Sequence, residues 1–167
     1  RETKENGTSS SSSYQHEFFH QHGFYLLSNF SDKEKEVLPM KEKMVQWTNE
    51  SWDEEHLLSV FRTDQDQVKA QGSNDYFLDS ANKVHYFAEK DAIDENSGFL
   101  KPEFRGNKIE ALNKVGHALH ITPNQPFHTY TTSPKIANLV RDLGWTNPIV
   151  PQSMYIFKQA RVGGEVT

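Results

Sequence analysis

The feature that most constrains the fold is the apolar run that begins at Ile149, "IVPQSMYIFKQ". Its apolar side chains fall on both faces of an extended strand, and such a strand has to be covered by protein on both sides. The run therefore predicts a layered domain built around this strand. The chain continues as "ARVGGEVT", in which Gly163 and Gly164 predict a bend after the strand.

Helical and extended patterns alternate in the N-terminal half of the chain. Apolar spacing predicts a helix that begins at Tyr14 and ends at Gly23, followed by a short buried strand at residues 24–27. Ser31 is predicted to be the N-cap of a second helix, because Glu34 follows it at capping-box spacing. Pro39 is expected to kink this helix or to delay its start.

The remaining patterns predict one hairpin and two further helices. Two aromatic-rich runs at residues 76–78 and 84–87, joined by "DSANK", predict the hairpin. Apolar residues at helical spacing predict a helix over residues 109–119. A last helix is expected to begin near Pro134 and to end at Gly144. Helices and short strands together predict the α+β class.

The first 13 residues, "RETKENGTSSSSS", contain no apolar side chain. Such a segment cannot offset the entropy lost on ordering, so we expect a disordered tail at residues 1–13. The rest of the chain, residues 14–167, is expected to form one domain. Its hydrophobic content of 35% and aromatic content of 12% are sufficient for a core.

Composition also restricts the possible partners and compartment. The 18 basic and 23 acidic residues give a net charge of −5, and no stretch gathers Lys and Arg, so nucleic acid is not expected as a partner. No apolar run reaches the roughly 18 residues of a membrane span. The absence of Cys excludes disulfides and favours an intracellular, cytoplasmic protein. A peroxisomal location stays open, because its address would lie outside the chain.

Residues 16–20 read "HEFFH", the zinc-binding pattern of a large group of metalloproteases. On a helix, His16 and His20 would lie one turn apart and could share a metal, while Glu17 could polarise its water. The extended pattern requires a third ligand at position 26, where this chain has Leu26. A zinc metalloprotease is therefore one alternative function.

The stretch "NKVGHALH" contains further polar residues that could bind a ligand. His117 and His120 lie three residues apart and would face the same way on the expected helix, but a metal site needs a third partner. Lys114 could serve as a point charge for a carboxylate or a phosphate. The ordinary alternative is a set of solvated surface side chains.

Five blocks follow one another along the chain: "FFHQHGFYLLSNFS", "AQGSNDYFLDS", "KVHYFAEK", "NKVGHALH", and "QSMYIFKQ" followed by "GGEV". In order and spacing these blocks resemble the phytanoyl-CoA dioxygenase family, over about residues 15–167. The last two blocks are the most specific. The resemblance implies a double-stranded β-helix, or jelly roll, of which this chain would supply the N-terminal helices and the first strands.

The resemblance further implies an Fe(II)- and 2-oxoglutarate-dependent dioxygenase that hydroxylates a small molecule, an acyl-CoA in some members. Such enzymes hold iron with two His and one carboxylate and oxidise 2-oxoglutarate to succinate. In the family, the lysine of the "NKVGHALH" block contacts 2-oxoglutarate, which assigns Lys114. The methionine of "QSMYIF" lines the same site, which assigns Met154, with core packing as the alternative role. We expect a monomer at full length.

The chain departs from the family pattern at its end. In the family, His-x-Asp follows "GGEV" within a few residues, and a distant His and an Arg come later, whereas this chain stops at Thr167. No residue is therefore assigned to iron, and we expect this fragment alone neither to bind iron nor to turn over. A third reading is a non-catalytic helical module that binds a partner through aromatic side chains such as Phe18, Phe19 and Trp47.

Overall fold

The computed structural model describes residues 9–52, 75–94 and 96–159, with side chains from Tyr14 onward. Within these ranges the chain forms α-helices and a small antiparallel sheet, which confirms the α+β class. The helices are α1 (Ser9–His22), α2 (Leu38–Ser51), α3 (Asp75–Asp79), α4 (Pro126–Thr131) and α5 (Pro134–Asp142). The strands are β1 (Val84–Ala88), β2 (Leu112–His117) and β3 (Ser153–Ile156). None of the described helices is long and apolar enough to cross a membrane.

Strand β2 is the centre of the sheet, because it pairs with β1 on one side and with β3 on the other. Lys114 lies opposite Phe87 of β1 and Ile156 of β3. Directly opposed residues of antiparallel strands project to the same side. We call this side the lysine face, and the register places on it Lys114, Gly116, His85, Phe87, Met154 and Ile156.

The hydrophobic core lies on the opposite face of the sheet. Val115 projects there from β2 and is fully buried, together with Met44 from α2 and Leu119 after β2. Helix α2 covers this face, and α4 packs against α2. The core cluster consists of Met44, Trp52, Tyr86, Ala88, Ala92, Ile93, Leu100, Ala111, Leu112, Val115, Leu119, Phe127 and Phe157. One side of the sheet is therefore committed to the core.

The prediction of a helix over residues 109–119 is wrong. A single 3-10 turn, Lys108–Ala111, leads directly into β2, whose residues are almost all buried. A strand that is buried on both faces shows no two-residue alternation. The apolar positions of such a strand can match helical spacing by chance, and the spacing of apolar residues alone cannot distinguish a buried strand from a helix.

The expected hairpin is half right. Residues 84–87 form β1 as predicted, but residues 76–78 belong to α3, and β1 pairs with β2 instead. Aromatic residues favour strands only where a pleated neighbour is present to pack against. In α3 the rings of Tyr76 and Phe77 instead contact β1 from above the lysine face.

The N-terminal region differs from expectation at two points. Helix α1 begins at Ser9, so residues 9–13 of the expected tail are helical, since serine is a tolerable helix former and neither Pro nor Gly interrupts the run. Residues 1–8 lie outside the described part. Gly23 ends α1 with φ +77°, as predicted. Residues 24–27 form no strand, and Leu26 is 81% exposed.

The second helix is capped one residue later than expected. The side chain of Asp32, and not that of Ser31, accepts hydrogen bonds from the backbone N–H groups of Glu34 and Lys35, at 3.0 and 2.8 Å. Glu36 accepts in return from the Asp32 N–H at 2.7 Å. A wide π turn, Lys33–Val37, comes first, and the α-helix proper begins beside Pro39, which confirms the delayed start.

The C-terminal elements agree better with the sequence patterns. Ser133 caps α5, Pro134 is its first residue, and Gly144 stands past its end with φ +103°. Strand β3 exists but is shorter than the apolar run. Among the described residues it is not covered on both sides, because Met154 is 37% and Ile156 is 51% exposed. The predicted bend at residues 163 and 164 lies outside the described part.

Candidate functional site

Lys114 occupies the middle of the central strand and is only 6% exposed. Its ammonium nitrogen lies 5.1 Å from the ring centre of Phe87 and 5.4 Å from that of Phe77. Aromatic faces attract cations and replace part of the lost hydration. The strand thus places a cation in a largely apolar environment on the lysine face.

Burial lowers the pKa of Lys114 from 10.5 to about 8. The cause is desolvation, which disfavours the charged form of an amine. At pH 7 the side chain still carries its proton, but at a cost in free energy. A protonated lysine interacts with carboxylates as a compact point charge.

His117 lies three residues after Lys114 in β2 and is 5% exposed; its ring lies 5.6 Å from that of Phe87, which also borders the Lys114 ammonium. Its Nδ1 lies 2.7 Å from the Ser80 hydroxyl, and its backbone N–H donates to the Ser80 carbonyl at 3.1 Å. Burial, together with repulsion from Lys114 and His85, lowers the pKa of His117 to about 4. His117 is therefore neutral at physiological pH.

Met154 lies opposite Gly116 on the lysine face, in the stretch of the sheet that continues from Lys114. Gly116 has a packing reason to be glycine, since an added Cβ would stand 3.2 Å from the Cβ of Met154. The missing side chain lets β3 approach closely. The fold therefore brings the two predicted site residues, Lys114 and Met154, onto one face.

A cavity of about 540 Å³ lies along β3 between α2 and α4. Its lining is mainly apolar and includes Met154, and Lys41 is its charged member. The lining residues are Val37, Met40, Lys41, Leu119, Phe127, Tyr130, Thr131, Ser153, Met154 and Tyr155. Met154 thus borders an apolar space as well as belonging to the lysine face.

The two histidines of "NKVGHALH" are not neighbours on one face, because this stretch is not a helix. His117 bonds to Ser80, whereas His120 lies after β2 and places its Nδ1 2.7 Å from the Ser153 hydroxyl. His128 donates to the His120 carbonyl at 2.6 Å. These contacts account for the histidines individually, without a shared ligand.

The "HEFFH" stretch serves as a contact between α1 and the end of α5. The His20 Nε2 donates to the Leu143 carbonyl at 3.2 Å, and His16 borders Gly144. Among residues 9–52, 75–94 and 96–159, no three His, Cys, Asp or Glu side chains are grouped so as to hold a metal. The protease alternative therefore has no third ligand in this part of the chain.

The aromatic side chains proposed for a binding module pack within the protein. Phe19 contacts Trp145 at 5.6 Å between ring centres, and Trp47 stacks on Phe127 at 5.8 Å. Phe18 contacts Phe24 at 5.7 Å. Sequence reasoning instead missed the residues of "YFLDS" that lie above Lys114, because this stretch was interpreted as a strand.

The family model of Phytanoyl-CoA dioxygenase (PhyH) matches residues 19–167. The chain belongs to the phytanoyl-CoA dioxygenase family. It is 41% identical over 150 residues to phytanoyl-CoA dioxygenase domain-containing protein 1 of Mus musculus, covering 89% of this chain and 49% of that protein. The protein of the same name from Danio rerio is 46% identical over 115 residues, or 68% of this chain and 37% of that protein.

A plant member of the family aligns over the same extent. Phytanoyl-CoA dioxygenase of Arabidopsis thaliana is 33% identical over 150 residues, covering 90% of this chain and 49% of that protein. The chain spans about half the length of the curated relatives it matches. The family is thus established over nearly the whole chain, while the chain represents only part of its relatives.

Proposed function

We propose that this chain supplies the 2-oxoglutarate-binding lysine of an Fe(II)/2-oxoglutarate-dependent dioxygenase that hydroxylates a small molecule, an acyl-CoA being one candidate. Family membership supports the reaction class. Because the chain covers about half of its relatives, the activity is proposed for the full-length protein that contains it.

The observation that carries the proposal is the burial of the Lys114 ammonium in the central strand, at 6% exposure. Burying an ammonium costs free energy, and the pKa of Lys114 is lowered accordingly. A purely structural position in a doubly flanked strand is filled more stably by an apolar residue. Lysine binds carboxylates as a compact point charge, which makes a carboxylate of 2-oxoglutarate a suitable ligand for Lys114.

The residues around Lys114 support a role in binding 2-oxoglutarate, and no described residue is assigned to iron. Lys114 supplies a cation for a carboxylate, whereas the described part of the chain holds no group of three metal-binding side chains. When bound, the iron and 2-oxoglutarate together supply the oxidising chemistry. The contribution proposed for this chain is to bind and orient the cosubstrate, with Lys114 on a carboxylate and Met154 providing apolar contact beside it.

The proposal is tested with the full-length protein and the substitution Lys114→Met, which keeps the length and apolar stem of the side chain. A charge-assisted hydrogen bond contributes about 1.5–3 kcal/mol, so the KM for 2-oxoglutarate should rise about 10- to 100-fold. The assay is Fe(II)-dependent formation of succinate.

Lys33→Met is the matched control, because the Lys33 side chain is 86% exposed in the turn before α2. Its KM should stay unchanged. If Lys114→Met had the KM of the wild-type protein, or if the wild-type protein formed no succinate from 2-oxoglutarate, the proposal would be wrong.

A further inference from the structure

Helix α3 lies directly above Lys114. The Phe77 ring lies 5.4 Å from the Lys114 ammonium and 5.5 Å from the His117 ring, measured to ring centres. Phe77 also contacts Phe87, the second ring beside the ammonium, at 5.9 Å. The lysine is therefore covered by a side chain that belongs to a five-residue helix.

The C-terminal end of α3 is fastened to β2 by a chain of hydrogen bonds whose direction is fixed. The Ser80 hydroxyl lies 2.5 Å from the Phe77 carbonyl, which can only accept, so Ser80 donates there. Ser80 must then accept from the His117 Nδ1–H at 2.7 Å. This arrangement sets the tautomer of His117, and its backbone N–H adds a second bond to Ser80 at 3.1 Å.

The N-terminal end of α3 is fastened to β1. The His85 Nδ1 donates to the Tyr76 carbonyl at 2.7 Å, and the two rings stack at 4.0 Å. The Tyr76 hydroxyl accepts from the Tyr86 N–H at 2.9 Å and donates to the Tyr86 carbonyl at 3.2 Å. Phe77 thus lies between two anchors, one on each neighbouring strand.

We infer that α3 is a cover over Lys114 and that Ser80 and His117 are positioning residues that hold it closed until an anionic ligand replaces Phe77 above the ammonium. A five-residue helix is too short to persist without such contacts. The identity of the anion, a carboxylate of 2-oxoglutarate, rests on the proposed function. The cover itself rests only on the contacts of Phe77, Ser80 and His117.

The test is the rate at which Lys114 is methylated by formaldehyde and a borohydride reagent in the full-length protein, followed by peptide mass spectrometry. Ser80→Ala removes the acceptor of His117 and the bond to Phe77, each contributing about 1 kcal/mol, so Lys114 should react about 5- to 30-fold faster. Lys33, whose side chain is 86% exposed in the turn before α2, serves as an internal reference and should react at the same rate in every variant.

Two further variants separate opening of the cover from general destabilisation. His117→Asn retains an N–H that can donate to Ser80, so methylation of Lys114 should stay within about threefold of the wild-type rate. Tyr76→Phe removes the hydroxyl that bonds to the Tyr86 backbone and should accelerate the methylation of Lys114. This variant keeps the test available even if Ser80→Ala does not fold. Gly144→Ala lies beyond the end of α5 and should lower stability, because its Cβ would stand 3.0 Å from the His16 ring. It does not alter α3 and should not accelerate the methylation of Lys114.

The inference is overturned if Lys114 reacts at the wild-type rate in both Ser80→Ala and Tyr76→Phe, or if Gly144→Ala accelerates it equally. These readings are taken without 2-oxoglutarate, so they do not depend on the proposed function. Protection of Lys114 by added 2-oxoglutarate is measured separately, and its absence would count against the proposed ligand while leaving the cover intact.

Discussion

Replacing Lys114 with Met should make the protein more stable at pH 7 while removing its proposed ligand-binding charge. The fold lowers the pKa of this amine from 10.5 to about 8. At about 1.4 kcal/mol for each pKa unit, keeping the buried amine protonated costs roughly 3 kcal/mol. The ring contacts with Phe77 and Phe87 offset part of this cost. We expect Lys114→Met to raise the free energy of unfolding at pH 7 by about 2 kcal/mol.

The gain should depend on pH with a defined sign. Between pH 8 and 10.5 the unfolded chain holds a proton on Lys114 that the folded protein has released, so wild-type stability rises with pH in that window. The difference between Lys114→Met and wild type should therefore be largest below pH 8 and shrink towards pH 10.5.

The assay is urea unfolding of both full-length proteins at pH 7, 9 and 10.5, with Lys33→Met, at an 86% exposed side chain, as a control that should show little pH-dependent difference. The free energy of unfolding of the wild type is subtracted from that of Lys114→Met at each pH, which removes the contributions of tyrosines that titrate in the same range. Equal stability of wild type and Lys114→Met at pH 7, with no change in the difference up to pH 10.5, would show that the buried Lys114 ammonium does not destabilise the fold.

Three further predictions concern the surroundings of the site. Because the pKa of His117 is lowered to about 4, wild-type stability should fall by roughly 3 kcal/mol as the pH drops from 6.5 to 4, and His117→Asn should flatten this dependence in acid unfolding curves. Gly116→Ala should cost about 1–3 kcal/mol in urea unfolding, because its Cβ would stand 3.2 Å from that of Met154; unchanged stability would contradict the close approach of β3. His20→Ala should cost about 0.5–1.5 kcal/mol by loss of the bond to the Leu143 carbonyl, while the zinc content measured by mass spectrometry stays the same.

The sequence predicts elements best where local chemistry decides them. Gly23 and Gly144 end their helices with positive φ, and Pro39 delays α2, because these residues restrict or permit backbone angles by themselves. The N-cap at Asp32 was missed by one residue, since Ser31 is an equally good cap and its hydroxyl pairs instead with Tyr130, 99 positions away.

The sequence predicts elements poorly where distant contacts decide them. Strand β2 was mistaken for a helix because burial on both faces removes the alternating pattern of a strand. The short α3 was mistaken for a strand because its aromatic side chains owe their position to β1. Resemblance to the family assigned Lys114 independently of this error, although the residue was placed on the wrong kind of element.

The surroundings of Lys114 could not be predicted from the sequence. Ser80 and His117 are 37 positions apart, and only pairing of β1 with β2 brings them within 2.7 Å. Nothing in the spacing of "YFLDS" and "NKVGHALH" states that one lies above the other. The lowered pKa of Lys114 is likewise a property of the folded environment and not of its neighbours in sequence.

If a carboxylate of 2-oxoglutarate binds the Lys114 ammonium, the protein should take up a proton when the ligand binds at alkaline pH. At pH 9 an amine of pKa about 8 has released most of its proton, whereas both carboxylates of 2-oxoglutarate are fully ionised. Calorimetric titration of the full-length protein in buffers of different ionisation enthalpy reports the protons taken up. We expect uptake close to one proton at pH 9 and close to none at pH 6.5. Tight binding at pH 9 with no proton uptake would contradict it.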